Sequence, residues 1–253
     1  DRLNSQRINC PKPLKDKNGK YLTQIKKKTA CIVTFLDGKD KQTLNAKNCY
    51  EIGKNIARFH IASNKTKLYR KNSMSINNLG SLLKSINFKS NVINSNLKIV
   101  LKKNLNEIKK NWPMNLPRGI IHGDLFIDNI FFKKNKFAGF IDFYFSCKDY
   151  LMYEIAICIN ALCFDKKKNK FILNNLKTKN LIKGYESVRK ISGNEKNSLN
   201  ILCRGAALRY LLTRIYDYFN TPKTALIKIK NPKEYFQKLI IHNHLNNYQD
   251  YYK

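Results

Sequence analysis

Between residues 119 and 143 three short apolar runs surround a set of polar side chains at fixed spacing, and this restricts the fold more than any other feature. The runs are Gly119-Ile120-Ile121-His122, Asn129-Ile130-Phe131-Phe132 and Phe137-Ala138-Gly139-Phe140-Ile141. Their length and their β-branched and aromatic content are those of strands, and Lys133 to Lys136 form the turn joining the last two as a hairpin. A turn near Lys134-Asn135 carries Asn129 and Asp142 to the same open end, within a residue or two of register. Asp124 falls in the loop just before that end.

Helical periodicity surrounds this hairpin. In residues 43–63, Cys49, Ile52, Ile56 and Phe59 recur at spacings of three and four. In 95–112 the stripe is Leu97, Leu101, Leu105, Ile108 and Trp112, and Pro113 and Pro117 then break the chain. Residues 64–93 are polar and read as a loop with one small helix. Beyond the hairpin the expectation is helix nearly to the end: 151–164, apolar all round and so buried, then 174–190, 195–220 and 231–248. Strands are expected near the start, at 20–25 and 29–36, the second ending at Asp37-Gly38. Short strands followed by many helices predict an α+β fold.

Composition narrows the class. At 253 residues with 43% hydrophobic content the chain can bury a sizeable core. No apolar run approaches the roughly 18 to 20 residues that span a bilayer. Residues 1–5 show neither a starting Met nor the apolar stretch of a signal peptide, so a cytoplasmic protein without membrane partners is expected. Seven cysteines, an odd count with no CxxC pair, speak against a disulfide framework or zinc site and for reduced, mostly buried thiols. The net charge of +32 raises nucleic acid as a partner. The lysines are scattered through every segment beside abundant Asn and Ile, however, residues that A/T-rich codons supply without selection for binding. Nothing in the sequence specifies an oligomeric state.

The chemistry lies in His122-Gly123-Asp124-Leu125-Phe126-Ile127-Asp128-Asn129, with Asp142-Phe143 thirteen residues after Asn129. Phosphoryl transfer needs positioning and charge neutralisation more than covalent catalysis. One carboxylate must meet the substrate hydroxyl, while an amide and a second carboxylate hold a divalent ion against the phosphates. Magnesium suits such a site, since it takes few protein oxygens and completes its shell with phosphates and water. His122 reads as a support for the loop and Asp128 as a turn residue. Asp142, flanked by Phe140, Ile141, Phe143 and Phe145, reads as a buried carboxylate that would cost several kcal/mol unless paired or metal-bound.

The stretch from Gly119 to Phe164 resembles the homoserine kinases of the aminoglycoside phosphotransferase and choline kinase superfamily. The likeness rests on Ile121 to Phe126 with Asp128-Asn129, on Gly139 to Phe145, and on Ala156-Ile157-Cys158 with Asn160-Ala161. Arg204 to Arg214, Tyr216-Asp217 and Asn220-Thr221-Pro222 narrow it to homoserine kinase, and a weaker likeness runs from about Cys10 to His244. The resemblance implies a protein-kinase-like fold that transfers the ATP γ-phosphate to the hydroxyl of L-homoserine in threonine biosynthesis. Another small-molecule hydroxyl kinase, or a non-catalytic basic protein of this fold, are the alternatives.

Carried over by residue, Asp124 is the catalytic base, Asn129 and Asp142 bind magnesium, and the backbone of Thr34 and Leu36 in the hinge strand contacts adenine. Arg204, Arg209 and Arg214 cannot share one helix face, because five residues advance 140° past a full turn. Arg204 is expected to be the partner of the substrate carboxylate. Ile127 stands where the superfamily often has Pro, and Glu154 where it often has Asp. The strands carrying the phosphate-covering loop and its lysine are not found. Residues 1–38 are therefore expected to be the remnant of a nucleotide lobe and hinge on a truncated chain, and residues 39–253 the catalytic and substrate-binding lobe.

Overall fold

The computed structural model describes residues 3, 6, 8–64, 69–88, 95–222, 224–226 and 229–252. The expected α+β class holds: four antiparallel two-stranded sheets are set among helices. The first pair, β1 (Thr23–Ile25) and β2 (Lys28–Ala30), is shorter than the apolar runs at 20–25 and 29–36 suggested. Residues 31–36 are extended but gain only one bridge, Val33 to Pro13, and Ile32 and Phe35 stay 68% and 85% exposed. β-branched residues favour a strand only where a partner covers them, and here none of the described residues does.

Helix α1 (Ala46–Asn64) and α3 (Ser95–Lys110) follow the expected periodicity, with α2 (Leu79–Ser85) as the small helix between them. Cys49, Ile52, Ile56 and Phe59 are all buried. Parts of the expected 64–93 loop lie outside the described residues. Strand β3 (Arg118–Ile121) pairs with β6 (Cys147–Tyr150), a four-residue strand that the periodicity did not announce. Between them stands the predicted hairpin, β4 (Ile130–Lys133) and β5 (Lys136–Phe140), in register Ile130 to Phe140. Its turn residues Lys134 and Asn135 both have positive φ, 47° and 62°, the conformation that matches the twist of a two-residue hairpin.

Helix α4 (Leu151–Leu162) is buried on nearly all faces, as its composition required. A second hairpin follows it, β7 (Phe164–Lys167) and β8 (Lys170–Leu173), in the stretch left unassigned between the helices expected at 151–164 and 174–190. Its lysine-rich strands hide a period-two pattern. Then come α5 (Asn175–Glu186), α6 (Gly193–Asn197), α7 (Leu199–Asn220), α8 (Lys233–Asn243) and α9 (Gln249–Tyr252). A capping box, Ser192 with Glu195, starts α6 two residues ahead of the predicted start and separates it from α7. The core gathers around α4 and α7, on which α3 and α8 also pack. Buried Asn160 ties three helices: its Nδ2 donates to the Cys203 carbonyl at 3.0 Å, and its carbonyl accepts from Lys238 Nζ at 2.8 Å. None of the seven cysteines forms a disulfide among the described residues, and five are buried.

Candidate active site

The loop after β3 is held from below by α4. Gly123 turns the chain with φ +79°, and a Cβ there would lie 2.9 Å from the Phe145 carbonyl oxygen, so only glycine fits. The fully buried Glu154 carboxylate accepts the backbone N–H of His122 and, at 3.1 Å, that of Gly123. Burial pushes this carboxyl up. His60, whose Nε2 lies 3.9 Å away, and the loop N–H groups outweigh that and hold it below the ordinary glutamate value. His60 is in turn fixed by Tyr185, with Nδ1 2.8 Å from the phenol oxygen. His122 binds the Ile141 carbonyl through Nε2 at 2.8 Å, which ties the loop to the end of β5 and fits its expected supporting role. A carbonyl can only accept, so Nε2 carries the proton.

Three oxygen-bearing side chains meet at the open end of the β4–β5 hairpin. Asp124 is half-buried, and its Oδ1 accepts from the Tyr210 hydroxyl at 3.2 Å. Burial raises the Asp124 carboxyl above its ordinary value, against the opposing pull of Arg209, His122 and the Tyr210 hydrogen bond. Asn129 ends a short 3-10 turn, Ile127–Asn129, and its Nδ2 donates to the Asp124 carbonyl at 2.8 Å. That bond turns the amide so that its oxygen remains available as a ligand. The Ile141 N–H donates to the Asn129 carbonyl at 3.1 Å, which sets Asp142 one residue past the pairing.

Asp142 departs from the sequence reading in one respect. It is exposed, not buried among the neighbouring phenylalanines. Its φ of 60° places it in the left-handed region, where it caps a second 3-10 turn, Phe143–Phe145, by accepting from Tyr144 N at 3.4 Å. That turn sends the carboxylate outward while Phe140 goes into the core. Asp124, Asn129 and Asp142 line a single cavity of about 420 Å³, closed on its far side by α7. No cluster of three or more His, Cys, Asp or Glu able to hold a metal occurs among the described residues. One carboxylate and one amide oxygen fit magnesium that keeps water and phosphate ligands, and they do not fit a caged transition metal.

Comparison with known proteins places the chain in a family. The sequence profile of the phosphotransferase enzyme family matches residues 1–189. The homoserine kinase of Xanthobacter autotrophicus is 39% identical over 251 residues, 99% of this chain and 77% of that protein. That of Gluconobacter oxydans is 42% identical over 234 residues, 92% of this chain and 73% of its own. The chain belongs to the homoserine kinase family of phosphotransferases. Solved structures agree on the fold. An amicoumacin kinase superposes with a TM-score of 0.70 at 14% identity, covering 99% of this chain and 74% of its own. The choline kinase of Cryptosporidium parvum gives 0.67 at 16%, covering 96% and 75%.

The remaining residues inferred from homoserine kinases divide. Arg204 is not brought to the cavity. Its Nη1 donates to Glu107 of α3 at 2.8 Å, in an ion pair that joins two helices. The five-residue spacing turns Arg204 away and Arg209 inward, so the arginine expected to meet the substrate carboxylate is not one that lines the cavity. Arg214 reaches the cavity wall but is paired with Glu234 at 2.7 Å. The Thr34 N–H is committed to the Lys12 carbonyl at 2.8 Å, whereas the Thr34 carbonyl and the Leu36 N–H, with several other backbone groups of that segment, make no backbone hydrogen bond among the described residues. Leu36 lies against Gly139 of β5, so the segment runs beside the hairpin that carries Asn129 and Asp142. The sequence reading assigned no role to Glu154 or Tyr210. The signals for Glu154 were an acid inside an apolar helix and its place where the resembled superfamily often has Asp.

Proposed function

We propose that this cavity transfers the γ-phosphate of ATP to the hydroxyl of L-homoserine, with Asp124 as the base and Asn129 and Asp142 as magnesium ligands. The observation that carries the reading is the convergence of these three side chains on one cavity wall, in a chain up to 42% identical to homoserine kinases. Asp124 takes the hydroxyl proton as the substrate oxygen forms its bond to the γ-phosphorus and the bond from that phosphorus to the departing ADP breaks. Tyr210 holds Oδ1 of Asp124, which leaves the second carboxylate oxygen to receive the proton. Partial burial keeps Asp124 more basic than an exposed aspartate, which suits a base. The Asp142 carboxylate and the Asn129 amide oxygen are the groups that would hold magnesium, whose charge neutralises the phosphates. The segment up to Gly38 contributes the adenine side, through the Thr34 carbonyl and the Leu36 N–H.

The test is ADP formation with L-homoserine as magnesium is titrated. Chelation should abolish turnover. Asp142→Ala and Asn129→Ala should each raise the magnesium requirement while leaving the fold intact, because neither side chain is buried. Turnover by Asp142→Ala at the wild-type magnesium requirement would refute the assignment.

A further inference from the structure

We infer that two side chains of α7 read the charged end of the acceptor, Arg209 taking its α-carboxylate and Asp217 its α-ammonium, so that the cavity selects a zwitterionic amino acid over a plain alcohol. The inference rests on the phosphotransfer reading above and concerns the opposite wall of the same cavity.

Arg209, Thr213 and Asp217 stand four residues apart on α7 and all line the cavity, as one helix stripe must. Arg209 is 3% exposed; it meets the Tyr153 hydroxyl and feels the Asp124 carboxylate at longer range, yet among the described residues no carboxylate lies within ion-pair distance of it, and its Nε has no hydrogen-bond partner. Its guanidinium is held over the rings of Tyr210 and Phe145, 4.7 and 5.8 Å from their centroids. Ring faces offset only part of the cost of burying a cation, and the remainder calls for an anion. The other two arginines of the helix already have theirs, in Glu107 and Glu234. Arg209 is thus the guanidinium of α7 that a ligand carboxylate can complete, with the two parallel donors that such a group accepts.

Asp217 is the complementary case. The chain carries 49 Lys and Arg against 17 Asp and Glu, so an acid has basic neighbours by default. Even so, no cation lies within ion-pair distance of Asp217 among the described residues, and its carboxyl is raised by partial burial alone. Eight residues separate Arg209 from Asp217, about 12 Å along the axis. Both side chains line the one cavity of about 420 Å³. Asp124 faces them, joined to α7 by the Tyr210 hydroxyl. An amino acid whose carboxylate and ammonium share one carbon, with a hydroxyl two methylenes away, fills these three points.

The experiment compares kcat/KM for L-homoserine, for 3-aminopropan-1-ol, which lacks the carboxylate, and for 4-hydroxybutanoate, which lacks the ammonium. The wild-type protein should prefer homoserine over each by about 100-fold, the worth of a charged hydrogen-bonded pair. Arg209→Met should lower kcat/KM for homoserine far more than for 3-aminopropan-1-ol and so erase the preference, and Arg209→Lys should restore part of it. Asp217→Asn, at an exposed position that tolerates change, should erase the preference over 4-hydroxybutanoate. An equal loss on all three acceptors in Arg209→Met would overturn the carboxylate assignment, since the arginine would then act through Asp124. If that variant does not fold, the wild-type panel decides: use of 3-aminopropan-1-ol as efficient as that of homoserine overturns the inference with phosphotransfer intact. Turnover of other alcohols with none of homoserine would overturn the functional reading as well.

Discussion

Asp124, half-buried, and Glu154, fully buried, are carboxylates shifted in opposite directions, and the contrast is testable. Asp124→Asn keeps the shape and removes the carboxylate proposed as the base, so kcat should fall by roughly 10²- to 10⁴-fold. The folded pKa of Asp124 lies above its unfolded value, so its ionised form costs stability once pH has risen through the folded value. The Asn variant should therefore melt higher than wild type at neutral pH, with the gap closing as pH falls. Equal melting at both pH values would contradict the assigned environment. Glu154 is held below its ordinary value, so its contribution is present above the unfolded glutamate pKa and lost as pH falls through the folded one. Glu154→Gln points an amide donor at loop N–H groups that need an acceptor. It should cost about 1–3 kcal/mol in urea denaturation, less in acid, and should lower kcat with it. Asp124, Asn129 and Asp142 were legible in the sequence because a local hairpin gathers them. Glu154 and Tyr210 were not, because they reach the loop across 32 and 86 residues of chain, distances that only tertiary packing closes.

At the scale of elements, the same division separates periodic helices from irregular connections. The stripes of α1 and α3 could be read because burial on one face imposes a 3.6-residue period, and the β4–β5 turn because two apolar runs end at Lys134-Asn135. Strand β6 and the β7–β8 hairpin could not, since four-residue strands interrupted by charged residues such as Lys148, Asp165 and Lys166 leave no pattern to count. The crossing of α1 and α5 was hidden for a different reason. It depends on two glycines whose role is to be absent side chains. A Cβ on Gly53 would stand 2.0 Å from the Leu181 carbonyl oxygen, and one on Gly184 would stand 2.0 Å from that of Tyr50. Backbone meets backbone there, reciprocally, and neither side can rotate away. Gly184→Ala should therefore destabilise by about 3 kcal/mol, at the upper end of overpacking costs. Because α1 carries His60, the variant should also lose activity in step with its melting temperature. A variant as stable as wild type would mean that the helices cross elsewhere.

For the molecule as a whole, the charge of +32 is not reproduced inside the cavity, where Asp124, Asp128, Asp142 and Asp217 stand against Arg209, Arg214 and Lys230. The excess is spread over the exterior, where it acts on approaching ligands through solvent. ATP is strongly anionic and should be drawn in by such a field, whereas a zwitterionic amino acid has no net charge to be drawn. Raising salt from 0.1 to 1 M shortens the screening length from about 10 Å to about 3 Å, which removes the long-range attraction and leaves contacts inside the cavity largely unscreened. The KM for ATP should therefore climb with salt, while the KM for homoserine and kcat hold nearly still. Steady-state kinetics at the two salt concentrations separate the possibilities. A flat KM for ATP would mean that the surplus lysines are compositional only. A parallel rise in both KM values would mean that salt disturbs the site itself and not the approach to it.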